Sequence, residues 1–137
     1  MTLNLRALLE EMLARDASDL HLKAGVSPHI RIHSVLRSPK SEPLSAAEIA
    51  AMADELLDDR QRAYLHETGA VDLAYELPQS DRFRINVYRQ RGNVSIAIRR
   101  VTRDIPGFEA LHLPPIVKTI AEERQGLILL AGPTGSG

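Results

Sequence analysis

The sequence predicts a mixed α/β fold of the α+β kind, with a mostly antiparallel sheet, followed by the opening helix, strand and glycine-rich loop of a second domain. Three observations lead there. Segments of helical periodicity alternate with segments of period two. Two of the period-two segments, at about 82 to 90 and 93 to 101, are separated only by Arg91 and Gly92, so they pair as an antiparallel hairpin. Further on, the apolar run Leu127-Ile128-Leu129-Leu130-Ala131 passes directly into Gly132-Pro133-Thr134-Gly135-Ser136-Gly137, as a buried parallel-type strand feeds a phosphate-type loop.

Taken in order, Leu5, Leu8, Leu9, Met12 and Leu13 recur at helical spacing and predict a first amphipathic helix ending near Arg15. Leu20 and Leu22 alternate with Asp19, His21 and Lys23, which is strand periodicity; Gly25 to Pro28 is a turn, and His29 to Leu36 reads as one strand or two short ones. Ser45-Ala46-Ala47-Glu48 is a capping box, in which serine and glutamate satisfy each other's free N–H groups, and Ile49, Met52, Leu56 and Leu57 then line one face of a second helix. A short helix over Arg60 to Glu67 is closed by Gly69, and strands follow at about 70 to 77, 82 to 90 and 93 to 101. The tract from Thr102, with Pro106, Gly107, Pro114 and Pro115, reads as a linker. Proline at a first helical turn then starts a helix carrying Ile116, Val117 and Ile120, which leads into the final strand.

Composition narrows the class. With 137 residues, of which 44% are hydrophobic and 26% charged, the chain can bury one core and begin a second. A formal net charge of −1 gives no global attraction to nucleic acid or acidic membranes, so any electrostatic function rests on local charge segregation. Zero cysteines exclude disulfides and thiolate metal sites. No apolar stretch approaches the roughly 18 residues of a membrane span.

Glycines in the loop from Gly132 to Gly137 let successive backbone N–H groups curl around a phosphate, which side chains would block. The full pattern continues with a lysine that reaches the β and γ phosphates and a hydroxyl that binds magnesium. Both positions fall after Gly137, as does the helix whose N-terminus would hold the anion. The 137-residue chain alone is therefore not expected to hydrolyse ATP.

A second signal is charge. Arg82, Arg84, Arg89, Arg91, Arg99, Arg100 and Arg103 occur without an acidic residue between them. Phe83, Ile85 and Val87 share one parity, Val94, Ile96 and Ile98 the other, and a two-residue loop at Arg91-Gly92 puts both sets on one side. In that register Ile85 faces Ile98, Val87 faces Ile96, and on the opposite side Arg84 lies directly across from Arg99. Like charges so placed are destabilising unless offset. A bound polyanion would offset them, because the guanidinium fork matches phosphate oxygens; so would solvent or acids from elsewhere in the fold.

Other polar residues read as structural. His21 beside Asp19 has no third ligand nearby, and His29, His33, His66 and His112 lack ligand spacing, so no metal site is expected. Glu10-Glu11, Asp54-Glu55 and Asp58-Asp59 read as solvated helix faces. Nucleic-acid binding is disfavoured because Phe83 faces inward and Tyr88 alone offers a stacking surface.

Four segments together, Ala17-Ser18-Asp19-Leu20-His21-Leu22, Arg82-Phe83-Arg84-Ile85-Asn86-Val87, Gln90-Arg91-Gly92, and Gly126-Leu127-Ile128 running into the Gly132 to Gly137 loop, resemble the bacterial secretion-superfamily ATPases, and among them the PilT-type motors of pilus retraction. The resemblance covers essentially the whole chain. It implies a PAS-like N-terminal domain over 1–101, a linker over 102–113, and the truncated start of a RecA-like ATPase domain over 114–137. It further implies a ring of six identical subunits, with ATP and Mg2+ bound between the domains of the intact protein and neither held tightly by this chain. The phosphates would lie in the partial Walker A loop of Gly132, Pro133, Thr134, Gly135, Ser136 and Gly137, and would meet Arg84 and Arg99 of the N-terminal domain, with Arg91 the lesser candidate. Catalytic and magnesium-binding residues lie outside these positions. A pilus platform protein of the inner membrane is the implied partner, and the implied location is cytoplasmic, peripheral to that membrane. The contrasting reading is a stand-alone, non-catalytic PAS-like module for assembly or regulation. The chain departs from the family at Ser34 after His33, where relatives have glycine, so the family's tight hairpin between Ile32 and Leu36 is not secured by sequence here.

Overall fold

The structure is a computed structural model that describes residues 4–38, 42–78, 80–129 and 131–132. The chain divides into two compact units, Met1–Arg103 and Asp104–Gly137.

The first unit opens with α1, Leu5–Ala14, whose Asn4 cap accepts a hydrogen bond from the Ala7 N–H at 2.8 Å and whose inward stripe is Leu5, Leu8, Leu9 and Met12. β1 (Asp19–Lys23), β2 (His29–Ile32) and β3 (Val35–Arg37) follow as an antiparallel meander. Between β2 and β3 the tight hairpin does form: Ile32 pairs with Val35 across a turn in which His33 and Ser34 hold φ of 47° and 66°. Neither residue is glycine. The left-handed backbone costs an L-residue roughly 1–2 kcal/mol, partly returned by a hydrogen bond from Arg31 Nη1 to the Ser34 carbonyl at 3.3 Å. Ser34→Gly is therefore expected to stabilise the unit by about 0.5 kcal/mol after glycine's added unfolded-state entropy is subtracted. Urea denaturation checks this, and a lower midpoint for the glycine variant would refute it.

α2 (Ala46–Leu56) begins at the expected capping box, with Ser45 N–H donating to Glu48 Oε2 at 2.8 Å and Glu48 N–H to Ser45 Oγ at 3.2 Å. α3 (Asp59–Thr68) has a second box between Asp58 and Gln61, so Asp58 caps a helix rather than simply meeting solvent. Gly69 closes α3 in the left-handed region at φ 85°, a conformation that glycine adopts without steric cost.

β4 (Ala70–Glu76), β5 (Arg82–Gln90) and β6 (Asn93–Val101) complete a six-stranded sheet of order β3-β2-β1-β6-β5-β4, antiparallel throughout. β5 and β6 turn at Arg91 and Gly92, with φ of 51° and 83°. The register is the predicted one: Ile85 opposite Ile98, Val87 opposite Ile96, Arg84 opposite Arg99. Leu20, Leu22, Ile30, Phe83, Ile85, Val87, Ile96 and Ile98 all point to one side of the sheet and are buried with the stripes of α1 and α2. Each such side chain contributes roughly 1.5–3 kcal/mol on leaving water. The other side of the sheet carries the polar parity.

In the second unit α4, Pro115–Ala121, starts on proline as expected, after a turn in which the Leu111 and Leu113 N–H groups bond the Gly107 and Phe108 carbonyls. Of the strand expected after Gly126, the described residues 127–129 form no ladder, and Leu127 and Leu129 are 83% and 80% exposed. An apolar strand exists only through hydrogen-bonded neighbours, and none of the described residues of this unit supplies one.

Candidate functional site

The polar side of the sheet concentrates charge in one row. Register sets Arg31 of β2 beside Asp19 of β1, Asp19 beside Arg99 of β6, and Arg99 beside Arg84 of β5. Asp19 is the hub. Its Oδ1 accepts from Arg99 Nε at 2.9 Å, and its Oδ2 accepts from Arg31 Nε at 3.2 Å and from Ser18 Oγ at 2.8 Å. The two arginines cover it, leaving its side chain only 9% exposed, whereas the Arg84 and Arg99 side chains are each 73% exposed. Arg84 Nε stands 3.8 Å from Asp72 Oδ1, a charge contact too long for a hydrogen bond.

Burial alone would raise the Asp19 pKa, but the hydrogen bonds from Arg99 and Ser18 and the charges of Arg99 and Arg31 outweigh it and hold the carboxyl below its ordinary range. The pKa of His21, two positions along β1, is pushed down mainly by burial, against the pull of Asp19. Arg84, Arg99, Asp19, His21, Asp72 and Asn86 line a cavity of about 240 Å³. A larger hollow of about 570 Å³ beside α3, lined by Asp58, Arg60, Gln61, Tyr64 and Glu67, brings no two guanidiniums together.

Of the arginines singled out in the sequence, Arg84 and Arg99 meet and Arg91 does not. Arg91 lies in the β5–β6 turn, seven residues beyond Arg84, roughly 23 Å along an extended strand. Gly132 is exposed, and Pro133, Thr134, Gly135, Ser136 and Gly137 lie outside the described residues. Among the described residues no group of three or more His, Asp or Glu side chains could hold a metal ion, and no helix is long and apolar enough to cross a membrane.

The sequence allowed for acids from elsewhere in the fold but did not identify them. Arg99 does not stand free, and its partner Asp19 is 80 residues away in the chain. Arg100 points to the core side opposite Phe83 and is held by Asp81 and Asp16, with its Nη1 2.6 Å from Asp16 Oδ1. Arg100 shares parity with Ile96 and Ile98, and that was the available signal. Asp81 also accepts from the Arg103 backbone N–H at 2.8 Å; this bond and the one from Arg100 lower its pKa.

No protein-family model matches the chain. It is 31% identical over 135 residues to the type IV pilus retraction ATPase PilT of Pseudomonas aeruginosa, covering 98% of this chain and 39% of that one. To a twitching motility protein of Neisseria gonorrhoeae it is 33% identical over 111 residues, covering 81% and 30% respectively. The crystal structure of the pilus retraction motor PilT with bound ADP matches its fold at a TM-score of 0.83 and 35% identity, over 98% of this chain and 40% of that one. The chain belongs to the PilT-type secretion ATPases.

It spans about two fifths of the PilT relative's length, and its six-stranded antiparallel sheet with helices is the mixed α/β fold of the PilT N-terminal domain. Asp19, in the Ala17 to Leu22 segment, and Arg84, in the Arg82 to Val87 segment, line the same polar cavity although they are 65 residues apart in the chain.

The carboxylates of this fold carry a pH signature. A folded-state pKa below the unfolded value means that the stabilisation from Asp19 and Asp81 is fully present above about pH 4 and is lost as pH falls through their lower folded values. Thermal unfolding followed by circular dichroism is expected to show Tm dropping steeply below about pH 4, with Asp19→Asn flattening that slope. Equal slopes in the two proteins would remove Asp19 as a contributor.

Proposed function

We propose that the chain is the PAS-like N-terminal domain (1–101), linker (102–113) and beginning of the RecA-like domain (114–137) of a hexameric motor ATPase that powers type IV pilus retraction. Arg84 and Arg99 contact the phosphates of ATP held between the two domains. The observation that carries this reading is their juxtaposition: two guanidiniums directly across adjacent strands, both largely exposed, on the polar side of the sheet. Asp19 and Asp72 offset part of this charge, through the Nε of Arg99 and at 3.8 Å from Arg84, and the exposed guanidinium forks remain suited to a polyphosphate. The ADP in the PilT motor structure supports a nucleotide as that anion.

In the intact subunit water attacks the γ phosphate of Mg-ATP, the Gly132 to Gly137 loop cradles the phosphates from one side, and Arg84 and Arg99 neutralise charge from the other. Arg91, far along the hairpin, has a lesser part. Binding ties the two domains together and product release frees them. The 137-residue chain does not hydrolyse ATP by itself and holds neither ATP nor Mg2+ tightly. Its partners are identical subunits in the ring and the pilus platform protein of the inner membrane, on the cytoplasmic side.

Reading the source gene past the Gly137 codon tests this directly. A lysine and then serine or threonine are expected, completing the loop. An in-frame stop would instead make the chain a non-catalytic assembly or regulatory module, and the arginine pair would need another anion.

A further inference from the structure

We propose that Asp19 is a positioning residue that fixes the guanidinium of Arg99 for its anionic ligand, and that Arg31 and the β2–β3 hairpin hold Asp19 in turn. The inference rests on the phosphate-contacting role of Arg99 given above and adds residues that this role does not include.

The geometry is a relay across three strands. The Ser34 carbonyl accepts from Arg31 Nη1 at 3.3 Å, Arg31 Nε donates to Asp19 Oδ2 at 3.2 Å, and Asp19 Oδ1 accepts from Arg99 Nε at 2.9 Å. Ser18 Oγ adds a third donor to the carboxylate at 2.8 Å. Both carboxylate oxygens are thus engaged, so the carboxylate has one orientation. Arg99 is gripped through Nε alone. Its Nη1 and Nη2 have no acceptor among the described residues, and four of its five N–H bonds remain for a ligand.

An unrestrained arginine gives up much rotamer freedom when it binds, a cost that opposes affinity. A single bond at Nε removes much of that freedom in advance without occupying the two nitrogens that form the phosphate fork. Arg84 shows the contrast. Among the described residues its one acidic contact is Asp72 at 3.8 Å, so Arg84 meets the ligand unrestrained. The strained His33–Ser34 turn also gains a reason: it places the carbonyl that anchors Arg31.

The test is a double-mutant cycle in the full-length subunit, reading steady-state MgATP hydrolysis, with circular dichroism and Tm reporting the fold. Arg99→Ala, Asp19→Asn and the pair are compared. Asparagine keeps the shape but removes the charge and one of the two acceptors. Asp19→Asn is expected to lower kcat about tenfold, in line with the cost of a small misplacement of a reacting group. In the Arg99→Ala background it is expected to lower kcat by less than about twofold, because its effect passes through Arg99. A purely structural Asp19 would lower Tm and leave kcat per folded subunit unchanged, which overturns the proposal while the Arg99 role stands. Equal losses in both backgrounds overturn it as well, since Asp19 would then act independently of Arg99. Wild-type turnover in Arg99→Ala itself would instead remove the phosphate role and this inference with it. Should Asp19→Asn fail to fold, Arg31→Gln, which leaves the carboxylate in place, carries the same test. Its kcat loss is expected to be smaller and to vanish in the Arg99→Ala background, and persistence there overturns the relay.

Discussion

Arg84→Ala or Arg99→Ala in the full-length subunit is expected to cut ATP turnover by a factor of ten or more while the N-terminal unit stays folded. A phosphate-facing arginine stabilises charge that builds in the transition state, and such residues are worth roughly three orders of magnitude or more when they act alone. Two arginines share the load here, so about tenfold, or about 1.4 kcal/mol of barrier, is the lower bound for either. Neither substitution touches the core. Among the described residues the Arg84 side chain has no close hydrogen bond, and after Arg99→Ala the Asp19 carboxylate keeps Ser18 Oγ and Arg31 Nε. Arg84→Ala is thus the cleaner variant.

Lysine replacements sharpen the result. Arg84→Lys keeps a charge at an unrestrained position and is expected to retain part of the turnover. Arg99→Lys has a single nitrogen centre and must choose between Asp19 and the ligand, so it is expected to fall close to alanine. Arg91→Ala, in the distant turn, is expected to fall less than threefold. Steady-state hydrolysis with circular dichroism on each variant checks the set; wild-type turnover in both Arg84→Ala and Arg99→Ala would exclude this face of the sheet as the phosphate contact.

The arginine pair was legible in the sequence because a two-residue hairpin loop and two opposed apolar parities leave a single register. Its acidic partner was not. Asp19 meets Arg99 only because β1 lies next to β6, an adjacency between segments 80 residues apart that no local pattern encodes. The hairpin at His33-Ser34 shows the opposite limit: local propensity argued against the turn, and the pairing of β2 with β3 imposed it. Asp58 and Gln61 had the spacing of a capping box and were readable as one. The run from Leu127 was apolar enough for a strand, but apolarity does not supply the neighbouring strand that pairing requires.

Arg100, one residue beyond Arg99, is expected to give the converse phenotype: Arg100→Ala should destabilise the N-terminal unit by about 3 kcal/mol. Alternation along β6 turns it to the core side, where its side chain is 17% exposed and its Nε bonds Asp81, itself 15% exposed. Removing one member of a largely buried ion pair strands the other charge, which typically costs about 3–5 kcal/mol. The low end applies because Asp81 keeps the Arg103 N–H at 2.8 Å, and because Asp16, the second acid, is 77% exposed and regains water. Asp81→Asn in the Arg100→Ala background should recover part of the loss, since the neutral amide can still accept from Arg103 without leaving a buried charge unpaired. Urea titrations of the wild type, the single variants and the pair measure this. Losses that simply add would mean that Arg100 stabilises the sheet by packing against Phe83 rather than by holding Asp81.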